Sequence, residues 1–265
     1  VRIEAGQVAV VTGGGSGIGF ALAAGLVRRG VHVMIVDIRE DSIPVAVDAL
    51  AGQPGRAAGV RADVSVAADL DAVADETLER FGRVDLVCNN AGVVCEQTQA
   101  WEQRLATWRW LIDVKLMGVV HGVRTFAPLF IAQGSGHFLN TASTGGLIPL
   151  PTLAPYNATM QAVIGLTQTL HTELQSISES LGATVLCPGM VDTQIGPNSA
   201  ALTPPGAASV PADADPEAMR GAISPAVVAD AALEAVEAGR LHAVVGPGAA
   251  DAARGWLTTV LADLD

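Results

Sequence analysis

Eight residues near the N-terminus, Thr12-Gly13-Gly14-Gly15-Ser16-Gly17-Ile18-Gly19, have the composition and spacing of a phosphate-binding turn. Glycines allow a tight turn, let the backbone approach a pyrophosphate, and aim the first N–H groups of a following helix at its charge. A glycine cluster alone says little. This one stands between an apolar run, Val8–Val11, and a helical pattern that begins near Phe20. Asp37 follows eighteen residues after Gly19, at the end of the next apolar run. Its carboxylate can accept from ribose hydroxyls and repels a 2′-phosphate, and neither Ser16 nor Ile38 supplies an opposing positive charge. Gly13, Gly15, Ser16, Gly17, Ile18, Gly19, Asp37 and Ile38 together therefore point to NAD(H). Two further counts bear on chemistry: the chain has one lysine, Lys115, and one tyrosine, Tyr156.

The elements that position these residues are legible as a rhythm. Val8–Val11, Val31–Val36, Val84–Cys88, His137–Asn140 and Ala183–Cys187 read as strands, separated by longer amphipathic stretches. Alternation of this kind builds a parallel sheet covered on both faces, so the fold class is α/β, a Rossmann-type doubly wound sheet. With 265 residues, half of them hydrophobic, one domain over 1–265 is expected. Residues 194–225, rich in Pro, Ala, Ser and Asp, break the rhythm and read as a mobile lid over the substrate. After them Pro225–Gly239 reads as a helix and Ala243–Gly246 as a last strand.

Three further elements narrow the reading. Asp63-Val64 follows the third strand, Asn89-Asn90-Ala91-Gly92 the fourth, and Ser143 precedes Tyr156 by thirteen residues. With the glycine turn and Pro188-Gly189, these resemble the short-chain dehydrogenase/reductase family over essentially the whole chain. The resemblance implies hydride transfer between a nicotinamide and a carbonyl or alcohol carbon, with Tyr156 as acid/base and Ser143 holding the substrate oxygen. It also implies that Asp63 and Val64 contact the adenine. Asn89 to Gly92 would line the cofactor, and Pro188, Gly189, Val191 and Thr193 would flank the nicotinamide. Family members commonly pair the helices corresponding to 103–132 and 156–175, so a homotetramer or homodimer is expected.

The family pattern Tyr-x-x-x-Lys is broken here, because Tyr156 is followed by Met160. A phenol titrates near ~10 and needs a neighbouring cation to exchange a proton near neutrality. A thioether cannot supply one. The asparagine of the family's Asp-Val-Asn-Leu is at the same time Lys115, on an apolar stripe with Leu111, Ile112, Gly118 and Val119. An unpaired buried lysine is costly, which suggests that the cation has moved: Lys115 would reach into the space left by Met160 and lower the Tyr156 pKa. The competing expectation is a lysine extended to solvent, with Met160 as core filling.

The remaining residues set limits. A formal charge of −12 and a pI of about 4.7 argue against nucleic acid. No apolar run approaches the ~20 residues that span a bilayer, and no cleavable leader is recognisable, so no membrane partner and a cytoplasmic location are expected. Cys88, Cys95 and Cys187 lack metal-ligand spacing and read as buried free thiols in a reducing compartment, with no metal site. Arg109 and Asp113 should form a surface ion pair, and His121 and His171 should serve packing or lie in solvent. Of the tryptophans at 101, 108 and 110, Trp101 is the pocket candidate, with core packing as its alternative. Leu150, Leu153, Met190 and Ile195, with a lid free of Lys and Arg from Gln194 to Met219, suit an uncharged, fairly apolar small-molecule substrate. The first expectation is an NAD(H)-dependent oxidoreductase acting on a secondary alcohol or ketone. A redox-inactive NAD-binding protein and a non-redox lyase or dehalogenase remain alternatives.

Overall fold

The inner strands are runs of β-branched and small apolar residues that bury both of their faces, and the two edge strands are half-buried. Val8–Thr12 (β1), His32–Asp37 (β2), Ala57–Arg61 (β3), Leu86–Asn89 (β4), Gly136–Thr141 (β5), Leu181–Pro188 (β6) and His242–Val245 (β7) form one sheet. Its order is β3-β2-β1-β4-β5-β6-β7, with every neighbouring pair parallel. The structure is a computed structural model that describes residues 2–210 and 221–264.

Alternate residues of β1 show why the sheet needs cover on both sides. Ala9 and Val11 pack with Leu22 and Leu26 of α1 (Gly17–Arg28) and with Val228 and Leu233 of α8 (Pro225–Glu237). Val10, between them, faces the other way with Leu70 of α3 (Ala67–Phe81), Phe126 and Phe130 of α5 (Gly118–Gln133), and Leu170 of α6 (Ala154–Ile177). α2 (Ser42–Ala49) adds Ala46 to the first layer. α3 and α5 stop at Gly82 and Gly134, whose φ of 80° and 75° a side chain would resist.

Leu105–Gln133 is helical throughout but not uniformly so. It comprises α4 (Leu105–Leu111), a π-helical segment over Ile112–Met117, and α5. By length and mean hydropathy this stretch would suffice to cross a bilayer; here its second half lies over β4 and β5.

The glycine turn enters its helix at Gly17, three residues before the expected start. Part of the segment read as an irregular lid is regular. Ile195–Leu202 is a helix, α7, with a buried Ser199 whose hydroxyl accepts from Val94 N–H at 3.0 Å and donates to Ile195 O at 2.6 Å. The far end returns to the sheet, where Ile223 N–H donates to Met190 O (3.1 Å) and accepts from Asp192 N–H through its carbonyl (3.0 Å). Residues 211–220 of the expected lid lie outside the described residues. Beyond β7, α9 (Ala249–Ala262) completes the described chain.

Candidate active site

The sheet's strand order reverses between β1 and β4, and a cleft of about 780 Å³ opens at the carboxyl ends of these strands. This is the place where open α/β sheets take their ligands. Gly13, Ser16, Gly17 and Ile18 line it from the first turn. Gly13 has a φ of +63°, and a β-carbon on it would stand 2.9 Å from Ala91 Cα, so only glycine lets the two turns meet. Thr12 knits them together, its hydroxyl accepting from Asn90 N–H (2.9 Å) and Ala91 N–H (3.1 Å). Gly15 and Gly19 do not face the cleft. Gly15 packs on Asp37 and Ser42, and Gly19 on the Gly13 carbonyl, so both shape the turn from behind.

Asp37 is 8% exposed and lies where β2 meets the cleft. Its carboxylate accepts from Gly15 N–H and Arg39 N–H, each at 3.0 Å, and Arg39 Nε stands 4.0 Å away. The carboxylate thus ties the phosphate turn to the edge where a ribose would rest. Ile38, Asp63 and Val64 continue this wall, and Ala91 and Gly92 with Pro188, Gly189, Val191 and Thr193 form the opposite end. Asn89 does not reach the cleft. It is buried behind β4, donating to Asn140 Oδ1 at 2.8 Å, while Asn140 donates to Thr167 Oγ1 at 3.0 Å. Its neighbour Asn90 takes the place at the wall, because successive strand residues face opposite ways. A glycine cradle at a helix N-terminus with a carboxylate at the ribose edge fits a dinucleotide such as NAD.

At the inner end three side chains converge: Ser143, Tyr156 and Lys115 all line the cleft. Ser143 follows β5, and its hydroxyl accepts from Gly145 N–H (3.1 Å) while its proton points toward Pro188 O (3.4 Å). That donation is long, so an oxygen arriving in the cleft can take the hydroxyl hydrogen over from the Pro188 carbonyl. Tyr156 stands in the first turn of α6; burial pushes its phenol up, and the nearby Ser143 hydroxyl opposes the rise. Lys115 comes from the π-helical segment, only 6% exposed, with its ammonium over the Tyr156 ring at 4.9 Å from the centroid. Burial pulls that ammonium down to about 8, with the Cys95 thiol beside it working in the opposite direction.

Lys115 therefore does not extend into solvent, but it does not enter a gap at Met160 either. Met160 is fully buried among Val119, Ala142, Val163 and Val185, and fills its own site. The ammonium lies on the ring face beside Gly92.

Several other expectations are corrected. Trp101 is 81% exposed and lies neither in the cleft nor in the core; Trp110 lines the cleft instead. A helical face was the missed signal, since Ala106, Trp110 and Asp113 recur at the spacing that puts them on one side. Arg109 and Asp113 both border the cleft and form no ion pair with each other. Asn198 and Leu202 of α7 also line it, hidden in the sequence by the lid's irregular composition. Leu150, Leu153, Met190 and Ile195 line it as expected. His121 and His171 are packing residues whose Nδ1 atoms pair with Val64 O and Ala183 O at 2.9 Å. The three cysteines are buried and unpaired, and no cluster of metal-binding side chains gathers among the described residues.

Comparison with known proteins agrees with this geometry. The profile of the short chain dehydrogenase family matches residues 7–202. The 1-deoxy-11-beta-hydroxypentalenate dehydrogenase of Streptomyces avermitilis is 36% identical over 71% of this chain and 69% of its own length. The cyclohexanol dehydrogenase of an Acinetobacter strain is 32% identical over 71% and 74%. The chain spans about two thirds to four fifths of the length of the curated relatives it matches. A short chain dehydrogenase/reductase from Burkholderia phymatum, solved in complex with NAD, superimposes with a TM-score of 0.87 at 35% identity over 96% of this chain and 94% of its own. The chain belongs to the short-chain dehydrogenases.

Proposed function

We propose that the protein is an NAD-dependent oxidoreductase that interconverts an uncharged, fairly apolar secondary alcohol and its ketone. The observation that carries the reading is the Lys115 ammonium over the ring of Tyr156 at 4.9 Å. A cation on a ring face is attracted by the π-electrons, and more strongly once the ring carries negative charge. It therefore favours the phenolate that must accept the alcohol proton. Lys115 would do from the neighbouring helix what the missing lysine at Met160 cannot. Ser143, already accepting from Gly145 N–H, would donate its hydroxyl hydrogen to the substrate oxygen and hold it beside Tyr156.

Gly13, Gly17 and Asp37 would hold the cofactor, and NAD when bound supplies the hydride acceptor. Asp37 supports NAD over NADP, because a 2′-phosphate would meet a buried carboxylate whose Arg39 neighbour is turned to that same carboxylate. Leu150, Leu153, Met190, Ile195 and Trp110 supply an apolar wall for the substrate. Cyclohexanol, the alcohol named for one relative, has the character such a wall would admit. A homodimer or homotetramer, and a cytoplasmic location, belong to the same proposal.

The test is direct. Purified protein mixed with NAD+ and a panel of cyclic and aliphatic secondary alcohols should produce NADH, and Tyr156→Phe should lower kcat by about 10²–10⁴-fold. NAD binding without turnover on the whole panel would return a redox-inactive binding protein. Full turnover in Tyr156→Phe would remove the phenol from the chemistry.

A further inference from the structure

Apart from the ring of Tyr156, nothing chemical ties the Lys115 ammonium where it lies: it makes no hydrogen bond or ion pair among the described residues. Its place is fixed by shape. On one side is the face of Tyr156; on the other is the bare Cα of Gly92. A β-carbon built on Gly92 would stand 2.6 Å from Lys115 Nζ, closer than real β-carbons approach anything, whereas the next neighbours, Lys115 Cε and Asn90 O, are at an ordinary 3.8 Å. Gly92 is not among the residues with positive φ, so its backbone would accept alanine without strain. The lysine tip is the one obstacle to a side chain at this position.

We infer that Gly92 is a positioning residue for the Lys115 ammonium, its missing side chain leaving the seat from which the charge acts on Tyr156. The inference rests on the proposed role of Lys115. It differs from the ordinary reading of a glycine at a cofactor wall, in which the close approach is to the cofactor. Alanine at 92 drives the tip of a flexible side chain off the ring, and the attraction between a cation and a ring falls steeply with distance. The loop after β4 stays as it is.

The single tyrosine of the chain makes the test independent of substrate and cofactor, since tyrosinate absorbance in a pH titration reports Tyr156 alone. The other groups facing this phenol are the Ser143 hydroxyl and the thiols of Cys95 and Cys187. Burial keeps both thiols protonated, raising Cys95 and pushing Cys187 up to about 12. The experiment compares wild type, Gly92→Ala, Lys115→Met and the double variant. The ammonium and the phenol titrate as one coupled pair, the phenolate holding the lysine's proton above the value of about 8 that it has beside the neutral ring. Lys115→Met should therefore raise the tyrosinate midpoint, and Gly92→Ala should raise it part or all of that way. The double variant should match Lys115→Met, because with the ammonium gone the new methyl group displaces no charge. Turnover with an alcohol found on the panel should follow the same order.

An unchanged midpoint in Gly92→Ala, with Lys115→Met shifted, overturns the inference and leaves the role of Lys115 standing. An equal shift by Gly92→Ala in both backgrounds overturns it too, since the effect would then bypass the lysine. An unchanged midpoint in Lys115→Met removes the role of Lys115 and the inference with it. A thermal melt of each variant at the titration pH values, with its transition above the assay temperature, establishes that folded protein is being read.

Discussion

An ammonium enclosed to this degree without a carboxylate beside it is expensive to fold around, and the cost has a sign that pH reveals. In the folded chain Lys115 loses its proton at about 8, against an ordinary 10.5, because burial disfavours the charged form. Between those values the unfolded chain binds more protons, so stability rises with pH across that window. A displacement of this size corresponds to about 3 kcal/mol, carried in full below pH 8 and relieved as the pH climbs toward 10.5. Lys115→Met, which places an apolar side chain of similar length in the same surroundings, should therefore be the more stable protein at pH 7, by up to about 3 kcal/mol. Its advantage should shrink as the pH passes 8. Urea unfolding at a series of pH values measures this, and a pH-independent difference would mean that the lysine is not charged where it lies. The existence of an unusual lysine was legible in the sequence, because one lysine stood where the family has asparagine. Its seat was not, because that depends on an absent β-carbon in the turn after β4, on the far side of α4 in the chain. Trp101 went astray for a related reason: hydrophobic type does not encode exposure when the residue sits in an irregular loop.

At the scale of elements, strands were the most legible, since both faces of a parallel sheet are covered and most strands are written as near-continuous apolar runs; Ala57–Arg61, half-buried at the sheet's edge and ending in arginine, lacks that signature. Two elements of the site were not. The π-helical segment over Ile112–Met117 adds a residue to a turn, which a 3.6-residue periodicity does not register, and it is this segment that carries Lys115. α7 is written in Pro, Gly, Asn, Ser and Ala, which reads as loop, and is held by hydrogen bonds more than by an apolar stripe. Ser199 is the anchor, and Asn198 Nδ2 donates to Ser16 Oγ of the phosphate turn at 3.3 Å. Ser199→Ala leaves Val94 N–H without its acceptor, at a cost of about 1–3 kcal/mol. The expected result is a raised KM for the alcohol and weaker NAD binding, with the tyrosinate midpoint unmoved, because Asn198 and Leu202 line the cleft while the groups that act on the phenol, Ser143, Cys95 and Cys187, belong to other elements. Hydrogen exchange confined to α7 should quicken. If KM and exchange both match wild type, α7 is held by packing alone and the hydroxyl is incidental.

Across the whole molecule, the cleft sits where the sheet's two halves meet, with the phosphate turn from β1, Asp37 from β2 and the Asn90–Gly92 turn from β4 all reaching into it. A dinucleotide bound there bridges elements that the unfolded chain cannot hold together, so it must stabilise the fold as a unit. At a free concentration one hundred times its Kd the gain is about 2.7 kcal/mol, enough to raise the melting temperature by several degrees. The difference between cofactors follows from charge. Asp37 is buried, fixed by two backbone N–H groups, and unable to turn away from an incoming phosphate. NAD+ should therefore raise the melting temperature and NADP+ at the same concentration should do so far less. Asp37→Asn keeps an acceptor for Gly15 N–H while removing the charge. It should narrow the gap from both sides, weakening NAD+ by loss of a charge-assisted bond to the ribose and admitting NADP+ by loss of repulsion. Equal stabilisation of wild type by the two cofactors would show instead that Arg39 leaves Asp37 for the phosphate, and that the 4.0 Å between them is a resting distance, not a commitment.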